Sequence, residues 1–110
     1  MGVVGTNRCP NCGLLDTQNH VLIECEVANQ VWQKVLQKVP RKAATTMIMY
    51  VVGINDKKNE LMIKAEINKY LMHFRDLNAE QILQRALTYL RCTNRYNRDL
   101  CDIIDAILTI

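Results

Sequence analysis

The clearest hydrophobic pattern in the chain lies between residues 27 and 39, where apolar side chains recur every three or four positions. That spacing predicts an amphipathic helix with one buried face. The face comprises Val27, Ala28, Val31, Trp32, Val35, Leu36 and Val39. Pro40 should end the helix, and Lys34 and Lys38 suit its carboxyl end. We expect Trp32 to anchor this helix to the residues before it; stacking on a nucleic-acid base is its alternative role.

Three more amphipathic stretches predict a bundle of helices in the second half of the chain. The first runs from Asp56, its candidate N-cap, to about Asp76, and its apolar residues are Leu61, Ile63, Ala65, Ile67, Leu71, Met72 and Phe74. The second opens with a capping box at Asn78 and carries Ala79, Ile82, Leu83, Ala86, Leu87 and Leu90. The third has Asp99 as its candidate N-cap and carries Leu100, Ile103, Ile104, Ile107 and Leu108. The fold is therefore predicted to be mainly α.

The apolar run over residues 46–54 has no clear period. Its β-branched residues favour a strand, but the chain offers no evident partner strand, and periodicity does not distinguish a short buried strand from a short helix. We predict a short helix or an extended packed segment here.

Four potential metal ligands, Cys9, Cys12, His20 and Cys25, lie within seventeen residues and have the spacing C-x2-C-x7-H-x4-C. Three thiolates and one imidazole complete the tetrahedral set of a structural zinc site, so we predict one bound Zn²⁺. Gly13 supplies the backbone freedom that a turn after Cys12 needs. His20 and Cys25 are about 140° apart around a regular α-helix, so the helix should break or tighten between them. Thr17 is a candidate N-cap for the short helix that carries His20.

Three other interpretations of these cysteines compete with a structural zinc site. The Cys-x-x-Cys of a redox enzyme lies where a strand leads into a helix. Only eight residues precede Cys9, which leaves no room for that context. Zinc deaminases combine P-C-x-x-C with H-x-E, but neither His20 nor His73 is followed two positions later by Glu. Unrelated buried cysteines, the third alternative, would have to account for four ligands at this spacing. We expect His73 to lie at a surface or interface rather than to act as a fifth ligand.

Charge and composition are those of one small globular domain with a basic body. The 110 residues carry a net charge of +3, but residues 1–98 hold all 14 Lys and Arg and 8 of the 11 acidic residues, a net charge of +6. A net positive charge of this size is compatible with nucleic-acid binding but does not require it. We divide the chain into residues 1–40, a zinc knuckle with its amphipathic helix, and residues 41–110, a helical region packed on it, and we expect the two regions to form one compact unit.

Cysteine usage and hydropathy indicate an intracellular protein. The odd count of five cysteines with a thiolate metal site fits a reducing compartment such as the nucleus or cytoplasm. No apolar run is long enough to span a bilayer, so we expect no membrane partner.

Two groups of basic residues are candidates for nucleic-acid contact. Arg91, Arg95 and Arg98 follow the spacing i, i+4, i+7, which would place them on one helical face beside Tyr96, with Arg85 extending the row. The second group is Arg8, Lys34, Lys38, Arg41 and Lys42. Alternatively, either group is simply a solvated face of the protein.

The ligand region resembles the zinc-binding region that follows the reverse transcriptase in non-LTR (LINE-type) retrotransposon proteins. The resemblance rests on Cys9-Pro10-x-Cys12-Gly13, on Asp16-Thr17-x-x-His20, on Cys25 and on Ala28-x-x-Val31-Trp32. Retroviral knuckles, by contrast, space Cys and His by four residues rather than seven. The motif covers roughly residues 8–36, and the helices after it resemble the same family's carboxyl-terminal tail.

The resemblance implies a non-catalytic element that binds template RNA or target DNA during target-primed reverse transcription. Its partners would be RNA or DNA and the remainder of the reverse transcriptase protein. The chain contains neither a polymerase aspartate motif nor an endonuclease, so we expect no enzymatic activity from it. The alternative is a zinc-stabilised protein-interaction or dimerisation module without direct nucleic-acid contact, with the carboxyl-terminal helix as its contact surface, for example in a homodimer.

Overall fold

Helices account for every regular element in the part of the chain that the computed structural model describes, which is residues 9, 12, 13, 17, 20–41, 45–54 and 56–109. A π-helical turn spans His20–Glu24. Five α-helices follow: α1 is Glu26–Lys38, α2 Met47–Val52, α3 Lys58–His73, α4 Ala79–Thr93 and α5 Arg98–Leu108. No strand occurs among these residues, so the prediction of a mainly α fold is confirmed.

Helix α1 forms as its periodicity predicts and lies at the centre of the fold. Six of the seven predicted apolar positions are buried, and only Leu36 is half-exposed. The helix ends at Lys38, two residues before Pro40. It contacts the π-helical turn on one side and α4 and α5 on the other. The boundary predicted at residue 40 thus falls between elements that pack together, and the division into these two regions stays a prediction.

The apolar run that periodicity left open forms the short helix α2. The Thr46 side chain accepts a hydrogen bond from the Met49 N–H at 3.3 Å and caps its first turn. Gly53 ends the helix in the left-handed conformation, with φ of 82°. Tyr50 and Val51 are the buried positions.

Helix α3 departs from its prediction at both ends and on its buried face. Its N-cap is Lys57 rather than Asp56, and it ends at His73 rather than near Asp76. The buried stripe consists of Ile63, Lys64, Ile67 and Leu71, while the predicted positions Leu61, Ala65, Met72 and Phe74 are exposed. The apolar pattern did not predict the buried face of α3 correctly, because a charged residue, Lys64, forms part of that face. His73 is exposed, as expected.

Lys64 is buried because two groups from outside its own helix accept its charge. Its Nζ lies 2.6 Å from Asp56 Oδ2 and 3.6 Å from the centroid of the Tyr50 ring. The Asp56 side chain therefore forms this ion pair instead of serving as the predicted N-cap of α3. The Tyr50 hydroxyl donates to the Val39 carbonyl. Burial, with smaller effects from Asp56 and Glu60, raises the pKa of the Tyr50 hydroxyl, which keeps it a proton donor.

Helices α4 and α5 complete the bundle against α1 and α3. All six apolar positions predicted for α4 are buried, and the capping box between Asn78 and Gln81 is present. The N-cap of α5 is Asn97, which accepts from the Leu100 N–H; Asp99, the predicted cap, lies in the first turn instead.

The face of α5 expected to mediate a homodimer is largely used within the chain. Leu100, Ile104 and Ile107 are buried, and Ile103 and Leu108 are half-buried. The homodimer stays a prediction. In the described part of the chain, no helix is both long and apolar enough to cross a membrane.

The buried ion pair generates a stability prediction. Asp56→Ala should lower the free energy of unfolding by about 3–5 kcal/mol, because it leaves the Lys64 ammonium buried and unpaired. Asp105→Ala is the matched control, since it removes an exposed, solvent-screened ion pair with Arg91 and should cost far less than Asp56→Ala does. Urea unfolding followed by circular dichroism measures both, and equal losses in the two variants would contradict the assigned role of Lys64.

Candidate metal centre

The four predicted ligands converge on one point. The Sγ atoms of Cys9, Cys12 and Cys25 and a ring nitrogen of His20 all lie within 4.8 Å of one another. Cys9, His20 and Cys25 are buried, and Cys12 is half-buried. The chain thus forms a candidate metal-binding cluster from the residues that the spacing indicates.

The sulfur separations fit a tetrahedral thiolate site. Cys25 Sγ lies 3.5 Å from Cys9 Sγ and 3.8 Å from Cys12 Sγ. A Zn–S bond of about 2.3 Å at the tetrahedral angle requires an S···S distance of about 3.8 Å, whereas a disulfide requires about 2.05 Å. None of the five cysteines, all of which are described, forms a disulfide. Burial raises the pKa of the Cys25 thiol, opposed mainly by the Val27 N–H, and a bound cation would reverse that shift.

The turn after Cys9 depends on a glycine, as predicted. The Gly13 N–H donates to the Cys9 carbonyl at 2.8 Å, and Gly13 has a φ of +74°. Residues with a Cβ rarely adopt this conformation. This hydrogen bond connects Cys9 to the residue after Cys12, and both sulfurs lie in the cluster.

A widened helical turn places His20 beside Cys25. The Cys25 N–H donates to the His20 carbonyl at 2.7 Å, a bond from residue i+5 to residue i that defines a π-helix. Because a π-helical turn is wider than an α-helical turn, residues five apart lie closer to one face of the axis than the roughly 140° that an α-helix would give them. The helix breaks at Cys25, which is extended, so the expected break is confirmed and the expected tightening is wrong. Thr17 Oγ1 accepts from the His20 N–H at 3.1 Å, which confirms the predicted cap.

One nitrogen of His20 has the environment of a ligand atom. Its Nε2 is buried and has no hydrogen-bond partner among the described residues. An unsatisfied buried nitrogen is costly, and a bound cation would remove that cost. Its Nδ1 lies 3.9 Å from Glu24 Oε1, which is beyond hydrogen-bond distance.

Trp32 joins the ligand-bearing turn to the core. Its indole N–H donates to the Leu22 carbonyl at 2.8 Å, and its side chain is fully buried. Its ring meets that of Tyr50 edge-on, with centroids 6.0 Å apart. The predicted anchoring role is therefore confirmed, and the base-stacking alternative is wrong because no face of the indole is accessible.

Sequence reasoning missed Arg75. Its Nη2 donates to Cys9 Sγ at 3.2 Å, across 66 positions of sequence. No spacing rule connects residues so far apart, so only the tertiary structure reveals this contact.

The predicted row of arginines does not form one helical face. Helix α4 ends at Thr93 and α5 begins at Arg98, so Arg95 lies in the turn between them. Asn94 and Asn97, which favour helix ends, interrupt the helix. Arg91 is held by Asp105, with Nε 2.8 Å from Oδ1.

The turn still exposes basic and aromatic groups. Tyr96 is 86% exposed, and the Arg95 guanidinium carbon lies 5.2 Å from the centroid of its ring. Arg85 and Arg98 are also exposed. In the second group, Lys38 and Arg41 are exposed and Lys34 is half-exposed. Arg8 and Lys42 lie outside the described residues, and nucleic-acid contact by either group stays a prediction.

The cluster generates a metal-binding prediction. Protein purified without added metal should contain one zinc per chain. Cys12→Ser should weaken zinc binding by more than about 100-fold, because even the loss of an outer partner costs about 10–100-fold. Amide-exchange protection around Trp32 should fall with it, since metal binding supplies folding free energy. Elemental analysis and hydrogen exchange measure the two effects.

Cys92→Ser is the matched control, because Cys92 is exposed on α4 and lies outside the cluster. It should leave zinc content and amide exchange unchanged. A zinc affinity in Cys12→Ser equal to that of the wild type, measured by chelator competition, or unchanged protection around Trp32, would contradict the assignment.

Comparisons with known proteins add no relative to this geometry. No protein-family model, no curated protein and no solved structure matches the chain. The candidate metal centre therefore rests on the residues and distances of this chain alone.

Proposed function

We propose that this chain is a zinc-stabilised nucleic-acid-binding element of a non-LTR retrotransposon reverse transcriptase protein. The observation that supports it most is the Cys₃His cluster, whose four ligand atoms lie within 4.8 Å of one another at the spacing C-x2-C-x7-H-x4-C. The same spacing carries the resemblance to the zinc-binding region of that family. In this role the chain holds template RNA or target DNA during target-primed reverse transcription.

Zinc is the metal that the donor set favours. Thiolate and imidazole ligands at tetrahedral distances suit Zn²⁺, whereas Mg²⁺ and Ca²⁺ prefer oxygen ligands. Four protein ligands leave no open position for a substrate or an activated water. We therefore propose a structural site and a chain without enzymatic activity of its own. Three thiolate ligands belong in a reducing intracellular compartment.

The α4–α5 turn is the nucleic-acid surface that we propose. Tyr96 projects an almost fully exposed ring, and Arg95 lies against it. An exposed ring can stack on a base of a single strand, while neighbouring guanidiniums contact phosphates. Arg98 and Arg85 add two further exposed positive charges. Arg91 contributes less, because Asp105 neutralises it.

A protein-interaction module is the second candidate, and one observation favours it. Large apolar side chains are exposed on α2 and in the chain that leads into the first turn of α3; they are Ile48, Val52, Ile54 and Leu61. Exposed apolar surface of this kind is typical of contacts with other proteins when it is contiguous. In that case the remainder of the reverse transcriptase protein, or a second copy of this chain, is the partner.

Salt dependence tests the proposed function. Binding of the wild-type chain to single-stranded RNA and to duplex DNA should weaken as salt rises, because phosphate contacts release counterions. The double variant Arg95→Gln with Arg98→Gln should reduce the slope of log affinity against log salt by about 0.7–0.9 for each lost contact. Tyr96→Ala should weaken single-strand binding by about 1–3 kcal/mol. Fluorescence anisotropy at several salt concentrations measures all three.

Lys34→Gln with Lys38→Gln is the matched control, since it removes the same charge from α1. It should lower the slope less than the arginine variant does. If the lysine variant abolishes binding and the arginine variant does not, the proposed surface is wrong. Binding of neither nucleic acid by the zinc-loaded wild-type chain would leave the interaction module as the better proposal.

A further inference from the structure

We propose that Arg75 is an outer-shell residue of the metal centre, which neutralises its charge and fastens it to α3. This inference rests on the zinc site of the proposed function. Arg75 would be a positioning residue rather than a ligand, because a guanidinium has no lone pair to offer a cation.

The two ends of the Arg75 guanidinium hold different parts of the chain. Nη2 donates to Cys9 Sγ at 3.2 Å, and Nη1 donates to the Leu71 carbonyl at 3.1 Å. Arg75 follows the end of α3 at His73, so Leu71 supplies one of the carbonyls that the helix leaves without an internal partner. Because the guanidinium is planar and rigid, the directions of these two hydrogen bonds are fixed relative to each other. It therefore sets the position of Cys9 relative to α3.

Charge counting shows why the site needs a cation beside it. Three thiolates and one Zn²⁺ carry a net charge of −1, and Cys9, His20 and Cys25 are buried. A buried net charge is costly unless it is paired and hydrogen-bonded. Arginine stays protonated in proteins, so its positive charge is always present. Its contact with Cys9 places that positive charge directly beside the cluster.

The contact also affects how firmly the metal is held. The guanidinium holds Cys9 Sγ in its position within the cluster, and outer partners that orient a ligand raise metal affinity. Arg75 is thus expected to raise zinc affinity.

Zinc affinity in variants that remove or keep the positive charge at position 75 tests the proposal. Arg75→Gln is expected to weaken zinc binding by about 10–100-fold, the usual cost of losing an outer partner. Arg75→Lys, which keeps the charge, is expected to recover at least half of that loss on a logarithmic scale. Lys69→Gln is the control, because it removes an exposed charge from α3, away from the cluster, and should change affinity less than twofold. Competition with a chromophoric chelator measures each affinity.

A purely structural role for Arg75 predicts a different pattern. Arg75→Gln would then lower the unfolding free energy of the metal-free protein and leave zinc affinity unchanged. Unchanged affinity in Arg75→Gln, or equal losses in Arg75→Gln and Lys69→Gln, would overturn the proposal. If the wild-type chain itself binds no zinc, the zinc site of the proposed function is wrong as well, so the two failures are distinguishable.

A measurement on the wild-type chain keeps the test independent of whether Arg75→Gln folds. Zinc addition is expected to shift the Arg75 guanidinium resonances in an NMR spectrum, because the charge on Cys9 Sγ changes as the metal binds. The Arg91 resonances serve as the internal control, since that guanidinium is held by Asp105. Arg75 resonances that do not shift on zinc binding would overturn the proposal.

Discussion

The hydrogen bond from the Trp32 indole to the Leu22 carbonyl is the contact on which the rest of the structure depends. It fixes the middle of the turn that carries His20, and it comes from a side chain that is fully buried in the centre of the fold. The Trp32 ring packs edge-on against Tyr50, and the Tyr50 ring in turn covers the ammonium of Lys64. The ligand-bearing turn and the buried ion pair therefore share one continuous packed interior.

The candidate metal centre is attached to this interior at two places. Trp32 holds the turn between His20 and Cys25, and Arg75 reaches Cys9 from the end of α3. A cluster attached to both α1 and α3 couples metal binding to the stability of helices far from it in sequence. Binding free energy at the site then also stabilises the packing of the bundle.

Helix caps decide where the basic residues lie on the surface. Asn94 and Asn97 end α4 and begin α5, and this change of direction separates Arg91 from Arg95 and Arg98. Asp105 of α5 then lies close enough to pair with Arg91. The same turn presents Tyr96 to solvent, and it is this exposed ring with its neighbouring guanidinium that supports the proposed nucleic-acid surface.

The sequence by itself determined the features that depend on neighbours along the chain. These are the buried stripes of α1 and α4, the Asn78 capping box, the conformation of Gly13 and the four ligands that converge. Only the tertiary structure decided the burial of Lys64, the contact of Arg75 with Cys9 and the widened turn after His20. In the first two cases the group that satisfies the charge lies on another segment, and its proximity is a property of the fold. In the third case, the hydrogen bond from residue i+5 to residue i brings His20 and Cys25 to the same cluster. The period of an α-helix does not predict such a turn.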